Sequence, residues 1–232
     1  MDYNDWEPVY EAILADFGYP RSGDETARDR LATLLNGRPT FAPESLAFER
    51  NTVAIAGGAP SLTDEVALAA DADVVIAAST AADRLLERGV GIDLVVTDLD
   101  KHPATVARLT RSGTPVAVHA HGDNVDLVAT TVPGCDPAFV VPTTQAEPAG
   151  PVRNFGGFTD GDRAAFLADH FGAASLSFPG WDFDDEAVTA EKARKIAWAE
   201  RLLYWLERRR DEQFAVLDGR RDAIDTSALP VG

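Results

Sequence analysis

From Thr52 onward the chain repeats one local pattern: a short aliphatic run, a turn bearing glycine, aspartate or serine, then a helix-like segment. The runs are Val53–Ala56, Val74–Ile76, Leu94–Thr97, Val116–Val118, Phe139–Val141 and Leu176–Phe178. Unbroken apolar runs suit strands covered on both faces, and strands alternating with helices imply parallel βαβ units. The expected fold class is therefore α/β, with a doubly wound, mostly parallel, Rossmann-like sheet. A length of 232 residues is enough for one such domain with a sizeable core.

The flanks read as helix. Trp6, Val9, Tyr10, Ile13 and Leu14 recur at helical spacing, and Gly18 with Pro20 closes the run. Ser22-Gly23-Asp24-Glu25 has the form of a capping box, followed by a helix with Leu31, Leu34 and Leu35 on one face and Gly37 as its stop. These predict an N-terminal helical cap over 1–46 and an α/β domain over 47–210. Pro142 to Pro151 reads as a Pro/Gly-rich link. A long C-terminal helix is expected over 187–210, with Ile196, Ala199, Leu202, Leu203 and Leu206 facing inward. The tail over 211–232 is polar, with a short strand at Phe214 to Leu217.

Charge narrows the function. The formal net charge is -17, and Lys101, Lys192 and Lys195 are the only lysines. Acid excess spread along the whole chain keeps a surface hydrated in a salt-loaded cytoplasm, so the composition reads as halophilic and concerns solvent, not a partner. No basic stripe exists to neutralise phosphates along a nucleic acid. With Cys135 as the single cysteine, an intrachain disulfide and a cysteine-ligated zinc site are both excluded. No basic-then-apolar pattern opens the sequence and no apolar run is long enough to span a bilayer, so a cytoplasmic protein is expected. A homodimer is compatible with all of this.

The chemistry gathers in turns that follow strands, which is one edge of a parallel sheet and the edge where ligands bind. Asp98 and Asp100 leave the strand Leu94–Thr97 two residues apart, on one face. Such a pair offers hard oxygen ligands to Mg²⁺, which takes few protein carboxylates and fills its octahedron with water and phosphate. The alternative is a solvated turn in which one acid caps the next helix, which is expected to start near Pro103. Gly57-Gly58-Ala59-Pro60-Ser61 joins a strand to a helix; glycines permit close backbone approach and a helix start offers N–H groups to phosphate. The turn is neither G-x-G-x-x-G nor Walker A, and glycine there also serves purely steric ends. His119 and His121 lie two apart at a strand end, followed by Asp123 and Asn124. With only His102 and His170 besides, they suit hydrogen bonding or phosphate contact better than a His-rich metal site, and Asp123 is the likelier metal carboxylate; a capped strand end is the alternative. Thr159, Asp160, Asp162 and Arg163 crowd a helix start, either as a cap with a local ion pair or with Arg163 as a bidentate phosphate partner. Lys192 or Lys195 is a candidate point charge for phosphate. Cys135 and the tryptophans read as core.

In one order, these turns and Gly180-Trp181-Asp182-Phe183, then Lys192 and Lys195, resemble the archaeal 6-hydroxymethyl-7,8-dihydropterin pyrophosphokinase family, itself similar to thiamine pyrophosphokinases. The resemblance covers roughly Val53 to Leu206. It departs at Gly57-Gly58-Ala59, where the family turn is commonly Gly-Ala-Gly, and at Lys101, where glycine commonly follows the second aspartate. The resemblance implies Mg²⁺-dependent transfer of diphosphate from the co-substrate ATP to a pterin hydroxymethyl group, releasing AMP, in folate- or methanopterin-type biosynthesis. It implies Asp98, Asp100 and Asp123 as metal ligands, with Asp123 and His121 as alternative general bases. Gly57, Gly58, Pro60, Ser61, Lys101, Arg163 and Lys192 fall to the nucleotide; His119, Asn124, Thr159, Asp160 and Asp162 fall to the pterin. Rival readings are a metal-dependent hydrolase on His119, His121, Asp123 and Asp98, a sugar-nucleotide glycosyltransferase with Asp98-Leu99-Asp100 as its D-x-D, and a nucleotide-binding regulator without turnover.

Overall fold

The computed structural model describes residues 1–46 and 48–231. Six strands form one all-parallel sheet: β1 (Thr52–Ala56), β2 (Val74–Ala78), β3 (Leu94–Thr97), β4 (Val116–Ala120), β5 (Val140–Thr144) and β6 (Ser175–Ser177). Their order is β5-β4-β3-β2-β1-β6. The expected α/β class with a parallel, doubly wound sheet is thus what forms.

Both faces are covered, as the unbroken apolar runs require. One face presents Val53, Ile55, Val74, Ile76, Leu94 and Val96 to α1 (Tyr3–Phe17), α7 (Asp160–His170) and the long α8 (Ala190–Arg210). The other presents Ala54, Ala56, Val75, Ala77, Val95 and Val118 to α2 (Arg21–Leu35), α3 (Val66–Ala70), α4 (Ala81–Glu87), α5 (Pro103–Arg111) and α6 (Val125–Thr131). The two N-terminal helices therefore lie on opposite faces. Trp6, Val9, Tyr10, Ile13 and Leu14 of α1 are buried in the first layer, and Ala27, Leu31 and Leu35 of α2 in the second. Among the described residues no helix is long and apolar enough to cross a membrane.

Strands β1 to β5 step outward one neighbour at a time, and the chain then returns to set β6 on the far side of β1. The turns leaving β1 and β6 head to opposite layers, which opens a crevice at their carboxyl ends. There Gly57 N–H donates to Pro179 O at 2.8 Å and Ala59 N–H to Gly180 O at 2.9 Å. The two turns cross so closely that a Cβ on Gly180 would stand 2.6 Å from Gly57 O, and one on Gly57 would collide with Gly180 O. Gly180 also has φ +75°, a region open mainly to glycine.

Local expectations differ from the structure at four places. The Ser22–Glu25 capping box does not form: α2 starts at Arg21, with Pro20 as its N-cap and no side-chain cap bond. Arg21 fixes that start by pairing with Glu7 and Glu11 of α1. The expected link at Pro142 belongs to β5, which runs on to Thr144. Proline is tolerated because β5 is an edge strand and the Pro142 carbonyl, accepting from Arg153 N–H at 2.9 Å, faces away from the sheet; the missing N–H lies on that same open side. The turn after β1 leads first into one 3-10 turn, Pro60–Thr63, and only then into α3. Phe214–Leu217 is not a strand; Ala215–Leu217 is a 3-10 turn, shaped by Glu207, which accepts from Phe214 N–H and pairs with Arg221.

Asp162 explains where α7 begins. Its carboxylate is fully buried and accepts from Phe158 N–H, from Thr159 N–H and from the Thr159 hydroxyl, while the Thr159 side chain returns the capping-box bond. Asp162→Ala leaves two buried backbone donors unpaired, and is expected to lower unfolding stability by about 2–4 kcal/mol, read from chemical denaturation; an unchanged midpoint would show that the cap is dispensable.

Candidate active site

The turns after all six strands converge on a cavity of about 570 Å³, within the size range of small-molecule sites. Gly57, Ser79, Asp98, His121, Gln145 and Gly180 each mark one strand's exit along it.

The turn after β3 is the most constrained. Thr97 Oγ1 accepts from Leu99 N–H at 3.0 Å and Asp98 Oδ1 accepts from Asp100 N–H at 3.1 Å, so consecutive side chains hold the backbone. Leu99 adopts φ +70°, costly for a branched side chain, because its side chain is fully buried under the sheet. Asn124 then binds two strand exits together. Its Nδ2 donates to Asp98 O and to His119 O, both at 2.7 Å, and its Oδ1 accepts from His121 N–H at 3.0 Å. His121 Nε2 reaches Asp98 Oδ2 at 3.4 Å while its Nδ1 accepts from Asp123 N–H, so both ring nitrogens are engaged.

A second chain of contacts runs from α1 and α2 to α7. Tyr10 Oη donates to Asp24 Oδ2 at 2.8 Å, as does Gln145 Nε2 at 2.8 Å, and Gly122 N–H donates to Asp24 Oδ1 at 2.7 Å. Gln145 Oε1 accepts from Arg163 Nη2 at 3.1 Å, and Arg163 Nη1 lies 3.1 Å from Asp160 Oδ1. Arg163 Nε and His119 Nε2 are buried with no partner among the described residues.

Electrostatics follow from this crowding. Burial alone would raise the Asp98 carboxyl, but the His121 hydrogen bond and the charge of Arg163 outweigh it and hold Asp98 well below the usual carboxylate range. Burial and the adjacent Asp98 push Asp100 upward, opposed by Lys101 at 3.0 Å. Burial first, then Asp98, push Asp160 up to about 8 despite Arg163. Three acids facing one space in this way favour an incoming cation. Among the described residues no three His, Cys, Asp or Glu side chains form a ready metal group; the turn after β3 offers the pair Asp98 and Asp100, and Asp123 stands exposed at the rim.

Of the residues singled out from sequence, Asp98, Asp100, Lys101, His121, Asp123, Thr159, Asp160, Arg163, Gly57, Gly58, Pro60 and Lys192 border the cavity. Four do not. His119 is buried two residues back, its Nδ1 bonded to the Thr143 hydroxyl, with burial holding the ring well below the usual histidine range. Asn124 and Asp162 spend their polar atoms on backbone, and Ser61 Oγ is buried without a partner. The turn after β1 offers phosphate less than a helix start would, because the N–H groups of Gly57 and Ala59 are already donated. Trp181 is not core like Trp6, Trp198 and Trp205. It lines the cavity, donates Nε1 to Ile55 O at 2.9 Å and lies on Gly161, where a Cβ would meet its ring at 2.6 Å. Asp24 and Gln145 were invisible in sequence: an acid in a helix's first turn and a glutamine in a Pro/Gly-rich stretch carry no local sign of a shared site.

Residues 29–187 match the family model described as 6-hydroxymethylpterin diphosphokinase MptE-like. The chain is similar to the 6-hydroxymethyl-7,8-dihydropterin pyrophosphokinase of Pyrococcus furiosus, at 35% identity over 89% of this chain and 95% of the relative. The protein of that name from Methanothermobacter thermautotrophicus is also 35% identical, over 91% and 97% respectively. The one from Methanocaldococcus jannaschii is 30% identical over 92% and 99%.

The elevated Asp160 carboxyl gives a pH prediction. With a folded pKa of about 8 against an ordinary 3.8, the native state keeps a proton that the unfolded chain sheds, so this group's contribution is fully present below pH 4 and lost as pH rises to 8. Asp160→Asn removes that dependence. Without divalent cation, the variant is expected to gain on wild type between pH 4 and 8, by several kcal/mol at the upper end; parallel stability curves would refute the assignment.

Proposed function

Because the chain belongs to the 6-hydroxymethylpterin diphosphokinase MptE-like family, we propose that it transfers diphosphate from ATP to the hydroxymethyl group of 6-hydroxymethyl-7,8-dihydropterin, giving AMP and the pterin diphosphate. The observation that carries this reading within the structure is where the lysines are. Lys101, Lys192 and Lys195 are the only three in the sequence, and all three border the one cavity that also holds Asp98 and Asp100. Cations and hard carboxylates lining one nucleotide-sized space suit a polyphosphate with its counter-ion.

In this reaction the acceptor oxygen bonds to the β-phosphorus, the bond to the α-phosphate oxygen breaks, and AMP leaves with that oxygen. Phosphoryl chemistry of this kind asks a protein for positioning and charge neutralisation rather than covalent help. Asp98 and Asp100 are the residues to hold Mg²⁺; two carboxylates fit an ion that completes its octahedron with phosphate oxygens and water. When bound, the ion supplies neutralisation of the triphosphate. Arg163, kept in place by Gln145 and Asp160, and the three lysines meet the remaining phosphate charge. His121, with both nitrogens engaged, orients Asp98 and leaves Asp123 to accept the hydroxyl proton.

Incubation with ATP, Mg²⁺ and the reduced pterin in high salt is expected to give AMP one-for-one with pterin diphosphate. Asp98→Asn is expected to cut turnover about 100-fold or more with the fold intact. Lys192→Ala with Lys195→Ala is expected to raise the KM for ATP by about tenfold. ADP, free phosphate or sugar release instead of AMP would replace this reading with a simple kinase, a hydrolase or a glycosyltransferase.

A further inference from the structure

The cavity has two unlike ends, and the strand order separates them. In β5-β4-β3-β2-β1-β6 the acid-bearing turn of β3 stands in the middle. Toward β1 and β6 lie the glycine turn and the aromatic rings of Trp181 and Phe183. Toward β4 and β5 lie Asp24, Gly122 and Gln145. If the transferred phosphates sit at Asp98 and Asp100, the two substrates must flank them, one at each end.

Asp24 tells the ends apart. Its residue is 4% exposed, yet it borders the cavity. A carboxylate has about four acceptor positions. Tyr10 and Gln145 fill both on Oδ2, and Gly122 fills one on Oδ1. Among the described residues one acceptor position on Oδ1 is left, in a cavity-lining group fixed by three hydrogen bonds. Gln145 cannot turn to satisfy it, since its Nε2 is held by Asp24 and its Oε1 by Arg163. All three neighbours donate to Asp24, so it acts as an acceptor and fits a heterocycle edge that donates. A pterin shows its 2-amino group beside a ring N–H, so nothing next to the bonding amino group opposes the oxygen; adenine shows its amino group beside an acceptor nitrogen whose lone pair does.

We propose that Asp24 Oδ1 accepts a hydrogen bond from the 2-amino edge of the pterin, which places the acceptor over β4 and β5 and the nucleotide over β1 and β6. Asp24 is then a specificity determinant for the acceptor, supplied by α2. The inference rests on the pterin reading above, and its test separates the two.

The experiment is titration calorimetry of the full chain with Mg²⁺ and a non-hydrolysable ATP analogue, using 6-hydroxymethylpterin and its 2-oxo counterpart, which sets a carbonyl oxygen against the carboxylate. Wild type is expected to prefer the amino compound by roughly 10- to 100-fold. Asp24→Asn is expected to bring the two within about threefold. Equal binding of both compounds by wild type would overturn the role of Asp24 without any variant having to fold. A preference that survives in Asp24→Asn would also overturn it. Binding of the ATP analogue but of neither heterocycle would overturn the pterin reading itself.

Discussion

Carboxylates crowded at the exit of β3 set the terms for everything around them. Asp98 and Asp100 leave one turn two residues apart, and Asp160 faces them from the start of α7. Like charges in partly desolvated space repel strongly, so the surrounding residues serve either to hold these acids or to offset them. Asn124 fixes the Asp98 backbone, His121 and Arg163 stabilise its charge, and Lys101 leans on Asp100. Asp160 responds differently: burial, then the charge of Asp98, pushes its carboxyl upward despite Arg163. Acids held this way leave the site poised for a cation.

Those layers explain how precise an edge a small domain can build. Unbroken aliphatic strands need cover on both faces, and this forces α1 and α2 to divide between them. The connection between the two helices then has to pass the carboxyl edge of the sheet, which is how Tyr19, Pro20 and Asp24 come to border the cavity. The crossing of the turns after β1 and β6 is a second consequence of the same winding. Gly57 and Gly180 are glycine there because two backbones meet, and the meeting consumes N–H groups that a phosphate would otherwise take.

What was legible in sequence is what local physics decides. Leu94–Thr97 is β3 from end to end, α5 begins at Pro103, and α1 closes at Gly18 in a left-handed conformation. Such features depend on a few neighbouring residues. The acids and bases of the turns were also legible, since a parallel sheet gathers its strand exits on one edge whatever their order. The misses share the opposite origin. His119 and Asn124 look like ligands by type and spacing, but their partners are Thr143, on the neighbouring strand, and the backbone of the turn after β3. Asp24 and Gln145 look incidental because their bond spans 121 residues of sequence. Ser22 met every local requirement for a cap and lost to Arg21, whose partners sit on another helix.

The same logic accounts for arginine and lysine being used so differently. In an acid-rich chain most cations are claimed before any ligand arrives. Arg210 pairs with Asp169 and Glu212, Arg221 with Glu207 and Asp218, Arg220 with Asp184 and Glu200, and Arg21 with Glu7 and Glu11. Arginine suits these roles because its planar fork binds two carboxylate oxygens or two acids at once. A guanidinium so committed has few donors left for phosphate. Lysine is a compact charge on a flexible stem, and a single weak contact leaves it free to swing. Lys101 and Lys195 each touch one acid at the cavity, and Lys192 stands exposed at the start of α8. Apart from Arg163, arginine therefore holds the acidic surface together, while all three lysines border the cavity.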